Sequence, residues 1–134
     1  MTEPAPLLVV DGANVVGSVP DGWWRDRRGA AARLRDLLVP LAAAGLPAAS
    51  GAPPWATGVP LDVLLVTEGA ARGVPPVPGV RIEEAPGSGD DLIAGLAADA
   101  AGRPCLVVTA DRGLRARVEA AGAHCVGPRA VRPR

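Results

Sequence analysis

The chain has 134 residues, with 14 basic and 14 acidic side chains and therefore a formal net charge of zero. This length suits a single domain, and 49% hydrophobic with 21% charged residues is the composition of a folded globular protein. The balanced charge excludes a generally basic protein that coats nucleic acid, so any such contact must come from a local patch. The first apolar run, residues 7–10, is too short for a signal peptide or a membrane span, and we expect a cytoplasmic protein.

Five short segments are predicted to form β-strands. Three of them are continuous apolar runs bounded by turn residues, as in strands buried on both faces. One alternates in period 2 like a more exposed strand near an edge, and the last is a short apolar stretch near the C-terminus. In chain order they are residues 7–10, 63–66, 80–84, 105–108 and 123–126.

Helices are predicted between these strands. From Leu34, apolar residues recur at the i+3, i+4 and i+7 positions of an amphipathic helix, which Pro40 should kink or end early. Residues 46–60 show no periodicity and are interpreted as a long surface loop, whereas residues 90–101 and 114–121 have helical spacing. The alternation predicts one α/β domain with three layers, in which a mostly parallel sheet is covered on both faces.

Acidic residues occur where the predicted strands end. Those just past buried strands are Asp11, Glu68 and Asp111, and those that open a following helix are Asp90 and Asp91. The carboxyl ends of parallel strands share one edge of the sheet, so these acids should converge there. Because crowded carboxylates repel one another, a hard divalent cation is the simplest reason for such a cluster. Oxygen ligands without a His or Cys pair favour Mg²⁺ or Mn²⁺ over zinc, and Mg²⁺ held this way points to phosphoester chemistry.

Each acid also has a purely structural explanation. Asp11 and Asp111 could cap helices, and Glu68 could be an ordinary loop residue. Asp90 and Asp91 could simply complement the dipole of their helix. Since adjacent helix positions point in different directions, we expect only one of these two to contact a metal ion directly.

Three blocks of sequence carry a family resemblance. They are VVDGANVVG at residues 9–17, GSGDDLIA at residues 87–94 and VVTADRGLRARV at residues 107–118. In this order they resemble the opening strand and Asp-Gly-x-Asn turn, the acidic helix start, and the strand, terminal Asp and basic helix of PIN-like nuclease domains, specifically the NYN group that includes the YacP-like proteins. We therefore expect a PIN-like domain over residues 1–127, followed by a frayed basic tail over residues 128–134.

The resemblance implies a sheet in the order 3-2-1-4-5 and an endoribonuclease that uses Mg²⁺ or Mn²⁺ to activate water. It makes Asp11 a central metal ligand, with Asp90 or Asp91 supplying a ligand from the helix and Asp111 completing the site directly or through water. The family usually has a further acid at the end of the second strand or on a nearby helix, and here only Glu68 is suitably placed. These five acids are the candidate metal ligands, and all except Glu68 are candidate catalytic residues.

The one cluster of aromatic and basic residues is DGWWRDRR at residues 21–28. Tryptophan faces stack on unpaired bases and arginines contact phosphates, so the cluster favours single-stranded RNA. Alternatively, one tryptophan fills a core that has few aromatic residues. Because neighbouring side chains point apart, we expect one of Trp23 and Trp24 to be buried and the other exposed. The candidate substrate-binding residues are Asn14, Trp24, Arg25, Arg27, Arg112 and Arg115.

Several alternatives stay open at this point. Asn14 could cap the following segment instead of binding substrate, and the arginines from Arg112 onward could be a solvated helix face. Two rival functions remain. One is a non-catalytic PIN-like module that binds RNA or a protein, and the other is a nucleotide phosphohydrolase of the NTP pyrophosphohydrolase type. The sequence also leaves open whether the chain forms a homodimer.

Overall fold

The computed structural model describes residues 4–100 and 102–132. Its strands are β1 (Leu7–Asp11), β2 (Asp62–Thr67), β3 (Val80–Glu84), β4 (Cys105–Val108) and β5 (His124–Val126). They form one sheet in the order β3-β2-β1-β4-β5, and every neighbouring pair is parallel. The predicted α/β class and the 3-2-1-4-5 order are therefore confirmed.

Among the described residues, four α-helices cover the sheet: α1 (Gly12–Gly17), α2 (Arg27–Ala44), α3 (Gly89–Asp99) and α4 (Arg112–Ala120). Successive side chains of a strand point to opposite faces, and β1 shows the result. Leu8 and Val10 pack in the cluster formed with α1 and α2, whereas Leu7 and Val9 pack in the cluster formed with α3 and α4. The two apolar clusters on opposite faces make the predicted three layers.

Helix α1 was not predicted, because the sequence after β1 is typical of a turn. It begins at Gly12, directly against β2. A Cβ atom at Gly12 would lie 2.4 Å from the carbonyl oxygen of Val66. Only glycine permits this approach, which places the start of α1 at the carboxyl edge of the sheet.

Helix α2 continues past Pro40 to Ala44, so the prediction that this proline ends the helix early is wrong. Pro40 has no N–H to donate to the carbonyl group of Asp36, and both residues are exposed, so water can replace the missing bond. The segment 46–60 lacks α-helix and β-strand, but it contains two short 3₁₀ helices, Ala48–Ser50 and Pro54–Ala56. Leu46 and Ala56 are buried in the core, so the prediction of a surface loop is wrong for these two residues.

The expectation of a frayed C-terminal tail is wrong as far as Arg132. Ala130 and Val131 are buried, and the Arg132 guanidinium donates hydrogen bonds to the carbonyl oxygens of Val15 and Val16. These contacts fasten residues 128–132 to α1, and the final two positions of the predicted tail lie outside the described residues. Within the part of the chain that is described, no helix has both the length and the apolar character needed to cross a membrane.

Candidate active site

Of the acidic side chains at the carboxyl edge of the sheet, four are candidate site residues. Asp11 ends β1, Glu68 directly follows β2, Asp90 lies in the first turn of α3, and Asp111 precedes α4. Asp11 is only 4% exposed, Glu68 and Asp90 are half-buried, and Asp111 is exposed. The solvent exposure of these carboxylates therefore increases from Asp11 to Asp111.

Asp11 is held by neutral hydrogen-bond donors. Its Oδ1 accepts a bond from the backbone N–H of Asn14 at 3.4 Å, which caps α1, and its Oδ2 accepts one from the hydroxyl of Thr109 at 2.9 Å. None of the ion pairs among the described residues includes Asp11. The capping role proposed as an alternative is thus present, but it leaves the negative charge uncompensated.

Burial and like charge both disfavour ionisation of Asp11. Burial raises its pKa, the bonds from Thr109 and Asn14 lower it, and the negative charges of Asp90 and Glu68 raise it further. Asp90 and Glu68 come from distant parts of the sequence, and their charges are near enough to Asp11 to raise its pKa.

Asp90 connects this group to Asp111. Its pKa is raised first by burial and then by the negative charge of Asp111, while Arg117 opposes the shift. Glu68 lies against the start of the same helix, because a Cβ atom at Gly89 would be 3.3 Å from Glu68 Oε1. The start of α3 is therefore adjacent to Glu68 on one element and to Asp111 on another.

Asp91 is oriented differently from its neighbour. Its side chain is 84% exposed and forms an ion pair with Arg117 at 3.0 Å. The sequence left the choice between Asp90 and Asp91 open, and the structure favours Asp90 as the member of the site. Asp91 does not join the acids at the sheet edge.

Two polar side chains fix the geometry of the loop after β4. The Thr109 hydroxyl, which donates to Asp11, also accepts a bond from the backbone N–H of Asp111 at 3.1 Å. Asp111 Oδ1 in turn accepts from the N–H of Leu114 at 3.0 Å and caps α4. Asn14 Oδ1 accepts from the N–H of Ala110 at 2.8 Å, so Asn14 ties α1 to this loop. Sequence reasoning missed Thr109, whose only signal is its place two residues before a strand-end acid.

The donor chemistry of this edge fits a hard divalent cation. Carboxylate oxygens are the ligands that Mg²⁺ and Mn²⁺ prefer, and Mg²⁺ commonly binds through one or two carboxylates with water in its other positions. No group of three His, Cys, Asp or Glu side chains in the described ranges is arranged to hold a metal ion together. Any cation at this edge would therefore have few protein ligands from the described residues.

The aromatic and basic cluster lies beside α1. Trp24 is 49% exposed, as expected for one of the two tryptophans, whereas Trp23 is only half-buried and packs against the core, so the expected burial of the other is met in part. The guanidinium of Arg27 lies 5.1 Å from the ring centroid of Trp23, and that of Arg25 lies 5.9 Å from the ring centroid of Trp24. Two exposed cations thus accompany an exposed aromatic face.

The two other candidate arginines differ in role. Arg115 donates a hydrogen bond to the carbonyl oxygen of Thr109 at 2.9 Å, so it supports the loop that carries Asp111. Arg112 is exposed at the first position of α4, directly after Asp111, where it is free to meet a ligand at the acidic edge.

Comparison with known proteins gives a match of fold. No protein-family model matches the chain, and no curated protein sequence matches it. The crystal structure of Rae1 (YacP) from Bacillus subtilis superposes with a TM-score of 0.69 at 18% sequence identity, covering 92% of this chain and 70% of that chain. The chain has the fold of Rae1 (YacP). A tryptophan-to-leucine mutant of the same protein gives a TM-score of 0.64 at 19% identity over the same shares of both chains. The resemblance to YacP-like proteins is thereby confirmed at the level of the fold.

Proposed function

We propose that this protein is a metal-dependent ribonuclease, which hydrolyses RNA phosphodiester bonds with a water molecule held by the strand-end acids. The proposal rests on the surroundings of Asp11. This buried carboxylate accepts hydrogen bonds from two uncharged donors and has two acidic neighbours, Glu68 and Asp90. The fold shared with Rae1 (YacP) and the sequence blocks that resemble NYN domains support the same conclusion.

A bound cation would explain why these acids are kept together. Burying a carboxylate without a positive partner is costly, so proteins usually pair it or use it to bind a metal ion. Asp11, together with Asp90 or Glu68, would hold Mg²⁺ or Mn²⁺, with Asp111 acting through water. When bound, such a cation lowers the pKa of its water and stabilises negative charge on a phosphate group.

The chain's own residues would share the remaining work. Thr109 orients Asp11 by donating to Oδ2. Asp90 interacts electrostatically with both Asp11 and Asp111, and it is the residue that we assign to accept the proton of the attacking water. Carboxylate oxygens that only accept hydrogen bonds are well suited to hold and deprotonate water at this edge.

Single-stranded RNA is the substrate that the neighbouring surface suits best. Unpaired bases stack on aromatic side chains, and arginines contact the phosphates. Trp24 offers an exposed ring, and Arg25 and Arg27 lie beside the two tryptophans. Arg112 adds a positive charge next to Asp111.

The test is cleavage of end-labelled single-stranded RNA by the full chain in Mn²⁺ and in EDTA. We expect cleavage in Mn²⁺ only, and a loss of at least about a hundredfold in Asp11→Asn, the range typical for removing a group that acts in proton transfer or charge stabilisation. The control is Asp99→Asn, an exposed acid at the far end of α3, which should cleave like wild type. Equal cleavage by wild type and Asp11→Asn would contradict the proposal.

One observation favours a second candidate, the non-catalytic module that binds RNA. No three acids in the described ranges form a ready metal-binding group. On that alternative, the wild-type chain would bind the labelled RNA and leave it intact in Mn²⁺ and Mg²⁺ alike.

A further inference from the structure

Thr67, the last residue of β2, has a hydroxyl group without a partner. The residue is 1% exposed, and Thr67 Oγ1 is the single buried side-chain polar atom of the described residues that makes no hydrogen bond within the protein. Buried polar groups in folded proteins are almost always bonded. Within the described residues, the hydrogen-bonding capacity of this hydroxyl is therefore unused.

Thr67 lies in the wall of a cavity of about 200 Å³ beside the acidic edge. In β2, Thr67 falls on the same side as Val63 and Leu65, which pack in the cluster with α1 and α2. The cavity opens between these helices and the turn after β2. Much of its wall is apolar and includes Ala13 and Trp23.

Glu68 and Arg27 also line this cavity. Glu68 is one of the acids that influence the pKa of Asp11, so the cavity adjoins the candidate active site through a shared wall. Arg27 is exposed, and its guanidinium lies 5.1 Å from the ring centroid of Trp23. A ligand in the cavity would thus have an acid at one border and a cation at another.

We propose that this cavity binds one unpaired nucleobase of the RNA substrate, next to the phosphodiester bond at the acids; this rests on the proposed function. A nucleobase is flat and aromatic, with polar atoms on its edge, which suits apolar walls and one hydroxyl. Ligand pockets for drug-sized molecules are about 300–1,000 Å³, so the smaller cavity suits a single base rather than a whole nucleotide. In this arrangement Thr67 meets the base edge, and Arg27 contacts an adjoining phosphate. The base in the cavity then selects which bond lies at the acids.

The experiment compares Thr67→Val with Thr67→Ser in the full chain. Valine keeps the shape of threonine and removes the hydroxyl, whereas serine keeps the hydroxyl. Binding is measured by fluorescence anisotropy with four labelled single-stranded RNAs, each built from one base, in EDTA so that no metal-dependent cleavage occurs. We expect one or two bases to be preferred, and Thr67→Val to weaken their binding about tenfold, as expected for one lost hydrogen bond, while Thr67→Ser binds like wild type.

A second variant fills the cavity without touching the hydroxyl. Ala13 is exposed and lines the cavity, so Ala13→Leu should fold normally and reduce binding of the preferred RNAs to the level of the others. Thermal melting of both variants confirms folding. An RNA that lacks the one base that would occupy the cavity has nothing to contact the Thr67 hydroxyl. It should therefore bind wild type and Thr67→Val equally.

The outcomes separate this inference from the proposed function. If Thr67→Val and Ala13→Leu bind all four RNAs as tightly as wild type, the hydroxyl is satisfied by water alone and the base site is overturned. Tight binding of free nucleoside monophosphates without RNA binding would likewise overturn it. Cleavage in Mn²⁺ is measured separately: cleavage with unchanged affinities would leave the nuclease standing without this pocket, and base-dependent binding without cleavage would leave the pocket without the nuclease.

Discussion

The hydroxyl group of Thr109 donates a 2.9 Å hydrogen bond to Oδ2 of Asp11, across the boundary between two adjacent strands. The hydroxyl oxygen of Thr109 also accepts a 3.1 Å bond from the backbone N–H of Asp111. One fully buried side chain, 0% exposed, therefore sets the position of two strand-end acids that are far apart in sequence. The geometry of the candidate site depends on this contact.

Replacing Thr109 by valine should disturb both the fold and the site. The change leaves a buried carboxylate oxygen and an N–H group without their partner, which costs about 1–3 kcal/mol of the free energy of unfolding. RNA cleavage should fall as well, because Asp11 loses its orienting bond. Urea denaturation and the cleavage assay measure the two effects. Thr109→Ser should recover most of both, and a valine variant with wild-type stability and cleavage would contradict this role.

Asp90 and Asp91 form a matched pair for testing the site. Asp90→Asn should reduce cleavage about a hundredfold, because it removes the acid that interacts with both Asp11 and Asp111. Asp91→Asn should cleave within about twofold of wild type and lose less than about 1 kcal/mol of stability, the range for an exposed ion pair. A larger loss of cleavage in Asp91→Asn than in Asp90→Asn would contradict the assignment of Asp90 to the site.

The pH dependence of stability should reveal the buried charge of Asp11. Burial raises its pKa above the ordinary value of 3.8, so the folded state binds this proton more tightly than the unfolded state. The proton on Asp11 therefore makes its full contribution to the free energy of unfolding below pH 3.8. This contribution is lost as the pH rises through the raised pKa of Asp11 in the folded state. In metal-free buffer, Asp11→Asn should therefore melt at a higher temperature than wild type at pH 7, and the difference should shrink as the pH falls. Thermal melts of both proteins between about pH 3 and about pH 8, the range over which carboxylates titrate, measure this difference. A melting temperature of Asp11→Asn equal to or below that of wild type at pH 7 would contradict the prediction.

Mn²⁺ should reverse that ranking. A ligand that binds only the folded state at a hundred times its dissociation constant adds about 2.7 kcal/mol to the free energy of unfolding. Wild type should gain this stability in Mn²⁺, and Asp11→Asn should gain little of it. Calorimetry with and without the metal measures the shift, and an identical gain in both proteins would place the metal away from Asp11.

The sheet and the location of the acids were predictable from the sequence. Short apolar runs bounded by turn residues define the strands, and parallel strands place their carboxyl ends on one edge. That rule alone brings Asp11 and Asp111 to the same region. It also brings the start of α3 there, without deciding which of its two acids faces the site.

The details that depend on neighbours in space were not predictable. Helix α1 is too short to show a helical period, and its start depends on a close approach to β2 that only Gly12 allows. Thr109 and Thr67 are ordinary strand-end residues in the sequence, and their meaning comes from what each hydroxyl contacts or lacks. Arg132 belongs to a short basic segment at the C-terminus, and its sequence gives no sign of the hydrogen bond that it donates to the end of α1.

Anomalous diffraction from a crystal soaked in Mn²⁺ shows whether the strand-end acids bind the metal. We expect a manganese peak bonded to Asp11 and to Asp90 or Glu68, with Asp91 still paired with Arg117. The absence of manganese at this edge under saturating metal, or a peak coordinated only by other residues, would contradict this expectation.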